Sequence, residues 1–513
     1  MLLRLDNRFA GLRHDALAGS LIVAAFVVAA LFIGFVIATG RPIPIMLAVG
    51  AIVGVALLNA LPLVIWIVLV GVLLVSGPVT MFVPALEKAG WLFSLLGFYL
   101  TGAAILYAAV GRERFARPPP AFVIIAVLFF VTGLLSIAHS DGPLMEGIRA
   151  IKRYYQYFGL LFVLAVVPFA AATVRRWWGF LVLLACLQFP MALYQRVVLV
   201  PAREGMPNVE AIDIIVGTLE GSLKGGGSNG ALALLLITAL AYLLAAYRDG
   251  VLPMRRLLLL GTLVTLPLML GEVKLIIVLI PLAFAAANFD LIRANLFRFV
   301  SSTLSALALL AALGWGYLLI NAPPGESVGR IFEATIAYNF GNVGYFESGL
   351  NRTSVYPYWL AQQRLSDPVG IVFGHGLGSS FDALGETDAG HMDQAHRGMH
   401  IGLTAVSAVL WDQGLVGLLL LVGMYGAAAM SALRLVRSAR PGPDRAFCRA
   451  LFALASMLIV MLLYDNAPIS LPSQQLLAAL CLGLIAWRWR GAGMASVPIT
   501  GQAPVPNRGS ATS

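Results

Sequence analysis

Four of the six histidines in this chain, His375, His391, His396 and His400, fall between Asn321 and His400. They share that stretch with Asp382, Glu386, Asp388, Asp393, Arg330, Arg352, Arg364 and Arg397. Any loop in water carries charges, but a histidine titrates near neutrality and can take a proton from a hydroxyl at working pH, so the histidine bias points toward proton transfer. His391, His396 and His400 with Asp388 and Asp393 have short spacings of the kind a divalent metal uses. They lack the zincin pattern and a cysteine partner, so no metal is expected and a general base fits better. His400 is the leading candidate, because it stands where the polar stretch re-enters an apolar run that would hold it rigidly. A helix-capping histidine at the membrane surface is the plain alternative.

Lys274, beside Glu272 in an otherwise apolar run, is a second candidate, since charge near membrane depth is costly and usually functional. A Glu–Lys pair snorkelling to the water boundary is the competing reading. Lys274 and Arg352 are both expected on the outer face, where two cations could hold a diphosphate. Gly225, Gly226, Gly227, Ser228, Asn229 and Gly230 form a flexible entry to a helix and lack the pattern of a phosphate loop. Asn351, Arg352 and Thr353 match a glycosylation sequon, a match too short to carry weight.

The elements that position these residues are set by composition. Hydrophobic residues make up 60% of the 513 and charged residues 11%, with a mean hydropathy of +0.89, so lipid must be part of the solvent. The three cysteines, Cys186, Cys448 and Cys481, provide no disulfide framework. Apolar runs predict an all-α transmembrane bundle of about 12–14 helices, near 17–38, 43–60, 61–79, 91–110, 121–138, 155–173, 177–199, 229–247, 256–271, 272–289, 298–320, 402–430, 449–465 and 469–487. The N-terminal run exceeds signal-peptide length and reads as a retained first helix. Arginines recur in alternate loops, which sets both termini in the cytoplasm and reads the net charge of +10 as an orientation signal, with no call for nucleic acid. One stretch is dissonant. Arg149, Lys152 and Arg153 are basic yet assigned outside, which means either a miscounted helix or a patch that meets an anionic ligand.

Residues 1–320 are therefore expected to hold helices 1–11, with an outer loop near 201–228. A large catalytic outer loop follows over 321–401, then helices 12–14 over 402–490 and a disordered cytoplasmic tail over 491–513.

From about Gly225 to Gly417 the chain resembles the O-antigen polymerase and O-antigen ligase superfamily of bacterial inner-membrane glycosyltransferases. Ser228, Asn229, Gly230 and Ala231 open a helix as the family's Pro-Asn entry does, and Lys274 stands where the family has arginine. Arg352, Trp359, Asp367 with Pro368, and Gly374 through Gly378 are similar to its Arg, Trp, Asp-x-Pro and Gly-x-Gly series. His400 followed by Gly414, Leu415, Val416 and Gly417 is similar to its His-Asn start and Gly-Leu-Ile-Gly ending. Ile401 replaces the asparagine, His400 lies about one helical turn early, Asp412 replaces a glutamate, and Lys274 lacks arginine's bidentate fork.

The resemblance implies transfer of a glycan from undecaprenyl diphosphate to a sugar hydroxyl, with inversion and without metal, nucleotide sugar or other cofactor. His400 would activate the acceptor while Arg352 and Lys274 hold the diphosphate, and Asn229, His375, His396 and Arg397 are candidates for binding substrate. Expected partners are the carrier-linked glycan, an acceptor glycan or glycolipid, membrane lipids and polysaccharide assembly proteins. A polymerase is favoured over a ligase acting on lipid A core. A polysaccharide transporter or flippase would instead need buried mid-helix charges and symmetric halves, which the runs do not show. A non-catalytic scaffold would tolerate loss of Arg352 and His400 together.

Overall fold

The computed structural model describes residues 50, 53–83, 86, 90–110, 117–206, 210–223, 226–271, 275–291, 295–321, 329–330, 333, 349–382, 389–396 and 399–494. The expected first span, half of the second, the tail beyond 494, Glu272, Lys274, Glu386, Asp388 and Arg397 lie outside these residues. The chain divides into two compact units, 1–64 and 65–513. In the first, residues 53–58 are helical. All that follows concerns the second.

The described residues are helical, and eight of their helices are long and apolar enough to cross a membrane. These are α1 (Leu61–Phe82), α2 (Gly90–Val110), α3 (Ala121–Ala138), α6 (Ala171–Arg203), α7 (Asn229–Arg248), α10 (Leu296–Gly316 of the helix Leu296–Asn321), α14 (Ala405–Ser438) and α15 (Pro443–Tyr464). Between them lie α4 (Leu144–Tyr155), α5 (Phe158–Val166), α8 (Met254–Leu270), α9 (Ile276–Ala287), α11 (Val355–Gln362), α12 (Pro368–Phe373) and α13 (His391–Ala395); α16 (Pro472–Met494) ends the described chain. In α7, apolar on every side, 83% of the spanning window is buried, whereas in α10 only 11% is. α7 is the core, and α10 is left for lipid. α15 packs against α7, α9 and α14; α14 also packs on α3, and α5 on α2 and α16.

Two expectations need correction. The run near 155–173 is not one spanning helix: α5 has nine residues, about 14 Å at 1.5 Å per residue and roughly half of a hydrocarbon core. Before it, the dissonant basic stretch forms the separate helix α4, whose buried side carries Gly147, Ala150, Tyr154 and Tyr155. The loop after α6, expected on the outer side, also departs from a water-side excursion. Ile214, Ile215, Val216 and Leu219 are fully buried. Buried backbone needs partners, and two glutamines of α6 supply them: Gln195 Oε1 accepts from Val216 N (3.1 Å) and Gly217 N (2.8 Å), and Gln188 Oε1 accepts from Thr218 N (2.8 Å).

Candidate functional site

The helix ends that matter meet at one end of this bundle. Ala405 N at the start of α14 donates to Asp465 O just past α15 (2.9 Å), and Asn466 Nδ2 donates to Gly402 O (2.9 Å). Ser473 at the start of α16 donates through N (2.8 Å) and Oγ (2.9 Å) to Glu220 Oε1, ahead of α7. Thr404 caps α14, its Oγ1 accepting from Ser407 N at 3.0 Å. His400 thus sits four residues before the cap of a helix anchored to its neighbours.

Against α14 lies the glycine-rich turn Gly374–Gly378. Gly374 and Gly414 both have positive φ, 79° and 64°, and each backbone passes so close to the other's neighbours that a Cβ on either would collide with main-chain atoms. Gly414 interrupts α14 at the turn's crossing point, and His375 N donates to Trp411 O (2.8 Å). Asp412, 1% exposed, ties the turn down. It accepts from Gly378 N (2.9 Å), Ser380 N (2.8 Å), Ser379 Oγ (2.9 Å) and Tyr154 OH (2.7 Å), the last from α4. Four donors satisfy a buried carboxylate that would otherwise be prohibitive.

On this support the histidines part company. His391 Nδ1 meets Glu146 Oε1 of α4 at 2.9 Å, and that hydrogen bond raises its pKa above the ordinary histidine value. His396 Nδ1 meets Tyr358 OH at 2.8 Å and its ring lies on Trp411; burial lowers its pKa. His375 flanks the same Trp411, with its pKa lowered by burial against the pull of Asp367. His391, His396 and His400 therefore point to three different partners.

His400 bonds through Nδ1 to Asp382, and this bond raises its pKa. Among the described residues it is the only non-glycine residue with positive φ, at 51°. Such strain persists only where surroundings impose it, and it gathers at functional positions. An Nδ1–H donated to ionised Asp382 leaves Nε2 as the proton acceptor. Asp393 stands close by, pushed up to about 7 by burial and by the charge of Asp382, against the pull of His400.

Arg352 reaches the same end. Leu350 N donates to Met399 O (3.1 Å), so the chain before Arg352 pairs with the chain before His400. Arg352 Nε donates to Tyr464 O (2.6 Å) and its guanidinium lies 4.0 Å from the Tyr464 ring. Beside it is Asp465, pushed up to about 7 by burial while Arg352 pulls it down. Asn229 joins this end through Asp213, donating Nδ2 to Oδ1 at 3.2 Å. Asn351 is 1% exposed and its Oδ1 accepts from Thr353 N, Thr353 Oγ1 and Ser354 N, so the sequon asparagine is the hinge that starts α11.

The structure thus brings His400, Arg352 and Asn229 to one end, and sets His375 and His396 both against Trp411. Sequence reasoning noted Asp382 only as a charge in the loop and Asp393 as a charge or a metal ligand, and passed over Asp465, Glu146 and the role of Asp412. Asp465 had a signal, an acid followed by asparagine between two apolar runs. Glu146 and Asp412 had none, because only the fold makes them neighbours of residues more than 30 positions away. No protein-family profile and no curated protein matches the chain.

Proposed function

We propose that the chain is a membrane glycosyltransferase of surface polysaccharide synthesis, polymerase-like, working on the outer face of a bacterial inner membrane. The reading rests on the His400–Asp382 pair, with His400 in a left-handed backbone conformation beside the segment that carries Arg352. His400 Nε2 takes the proton of an acceptor sugar hydroxyl, whose oxygen attacks the anomeric carbon of a glycan on undecaprenyl diphosphate. The bond from that carbon to the diphosphate oxygen breaks, and the electron pair leaves on the diphosphate. Arg352 faces that charge, and the resemblance assigns Lys274 to the same task. Asp382 orients the imidazole and stabilises its protonated form. Asp393 and Asp465 add acids that hold protons near neutrality beside the sugar hydroxyls.

The test is surface-glycan analysis in a deletion strain carrying wild type, His400→Ala or Arg352→Ala, with membrane levels checked by blot. Loss of long glycan with short carrier-linked units accumulating supports a polymerase, by a factor of about 10²–10⁴ for His400→Ala. Long chains left on the carrier mean a ligase. Unchanged glycan from both variants, present at normal levels, rejects the assignment.

A further inference from the structure

Glu146 of α4 serves no step of the proposed reaction, yet its carboxylate takes hold of α13 twice. Oε2 accepts from His391 N (2.9 Å) and Oε1 meets His391 Nδ1 (2.9 Å), with 11% of the Glu146 side chain exposed. A backbone N–H in the first turn of a helix has no partner within the helix, and Gly390, the residue before α13, has no side chain to offer one. Glu146 supplies it from 245 positions away. The seat also needs Gly142, because a Cβ there would collide with His391 Nδ1. The remaining contacts of the first turn are with the segment leading to Asp382: Gly390 N donates to Phe381 O (2.8 Å), and Met392 N and Asp393 N both donate to Ser379 O (3.0 Å). A helix of five residues has little stability of its own, so these contacts decide where it sits.

What α13 carries is Asp393. Its carboxyl is close enough to Asp382 and His400 for charge to act among the three, and Asp393 adds to Asp382 in raising the His400 pKa. Of the two acids that face His400, one is therefore borne by the helix that Glu146 holds. His391 itself faces Glu146 on α4, Asp141 ahead of α4, Asp412 on α14 and His375 in the glycine turn. The three acids favour the imidazolium, which donates from Nδ1 to Glu146.

We infer that Glu146 is a positioning residue: by holding α13 through His391 it sets the Asp393 carboxyl against the His400–Asp382 pair. Releasing α13 carries Asp393 away, removes its negative charge from beside His400 and lowers the pKa of that imidazole. The inference deepens the proposed function and rests on it for the reaction alone, since the hold on α13 and its effect on His400 are read without transfer.

The experiment uses the full chain in phosphatidylcholine nanodiscs. Amide exchange is followed by mass spectrometry and the His400 titration by NMR of histidine-labelled protein, its signal identified as the one lost in His400→Gln. Glu146→Gln speeds exchange at His391, Met392 and Asp393 about tenfold or more, the worth of hydrogen bonds to a charged acceptor, and leaves α14 unchanged. His400 then titrates at lower pH. In an Asp393→Asn background, Glu146→Gln adds nothing to the shift that Asp393→Asn produces alone, because the effect runs through that carboxyl. Gly142→Ala crowds His391 while keeping the Glu146 charge, and reproduces both changes should Glu146→Gln disturb α14. Unchanged exchange in α13 would overturn the proposal. So would a His400 titration that stays in place when α13 loosens, or one that shifts equally in the Asp393→Asn background. These shifts in a chain whose wild type transfers no glycan would reject the proposed function and leave the positioning of Asp393 standing. Transfer by wild type with neither shift in the variants would do the reverse.

Discussion

The two ends of the α7–α15 pair both carry ionisable groups and treat them in opposite ways. At one end Arg449, fully buried, donates to Asp249 Oδ1 (3.1 Å) and Asp290 Oδ2 (2.8 Å). Arg445 reaches Asp249 at 2.8 Å, and Arg248 forks onto Asp290 at 2.9 and 3.2 Å. Burial alone would raise Asp290, but Arg449 and Arg248 hold it below the usual aspartate range. Each acid there is paired with two arginines. At the other end Asp465 and Asp393 are pushed up to about 7, Glu220 is raised by burial, and fully buried Gln474 has neither amide atom hydrogen-bonded. A lattice of ion pairs joins helices, whereas acids that burial raises toward neutrality are suited to exchanging a proton.

Four changes would break or sharpen that contrast. The largest effect belongs to the matched end: Arg449→Met strands buried Asp249 short of a partner and costs about 3–5 kcal/mol, read as a drop in thermal stability and folded yield. Transfer per folded molecule should hold; if it falls, the matched end is not merely structural. Next, Asp412→Asn weakens the tie among α14, the glycine turn and α4 by about 1–3 kcal/mol, because donors aimed at a carboxylate lose their acceptor. Here both melting temperature and transfer should decline, and an unaffected transfer rate would detach the turn from the site.

The third change is read as a pH profile. His400 must be neutral to act as base, and Asp382 raises its pKa, so transfer should fall as pH drops through that raised value. Asp382→Asn should move this acid limb to lower pH and slow the reaction; a limb that stays in place would mean another group titrates. The smallest effect is at His391. Its pKa is raised by Glu146, so the stability from this pair is fully present below the unfolded histidine value of about 6.5 and is lost as pH rises through the folded value. Glu146→Gln should flatten that dependence in melting curves recorded across the window, and an unchanged slope would show that the pair does not hold α13 to α4.

Where an element follows from a run of one kind of residue, the sequence already declares it. The apolar runs at 121–138 and 229–247 correspond to α3 and α7 within a residue, because a helix in lipid satisfies its own backbone and needs only length and apolarity. α5 shows the limit of that logic. Its run is apolar throughout, yet Gln156 turns aside to Ser94 and Gln475 and the helix ends at Val166, choices made by neighbours distant in the chain. The basic stretch in α4 could not be placed for the same reason, since an amphipathic helix is legible only once its buried side has something to pack on. Among candidate residues, His400 and Arg352 stood out by type and position, while Asp412 was noted only as a departure from the family pattern.

By itself, the sequence determined that this chain lives in lipid, that it is helical, and that its histidines gather before the α14 run, all of which follow from local composition and periodicity. Tertiary structure alone decided which partner each histidine meets, that the loop before α7 is buried on glutamine side chains, and that α4 faces the site. Those depend on which helix ends coincide, and a partner off the helical repeat, whether 18 residues away as Asp382 is from His400 or 245 as Glu146 is from His391, leaves no periodic trace beside the residue it serves.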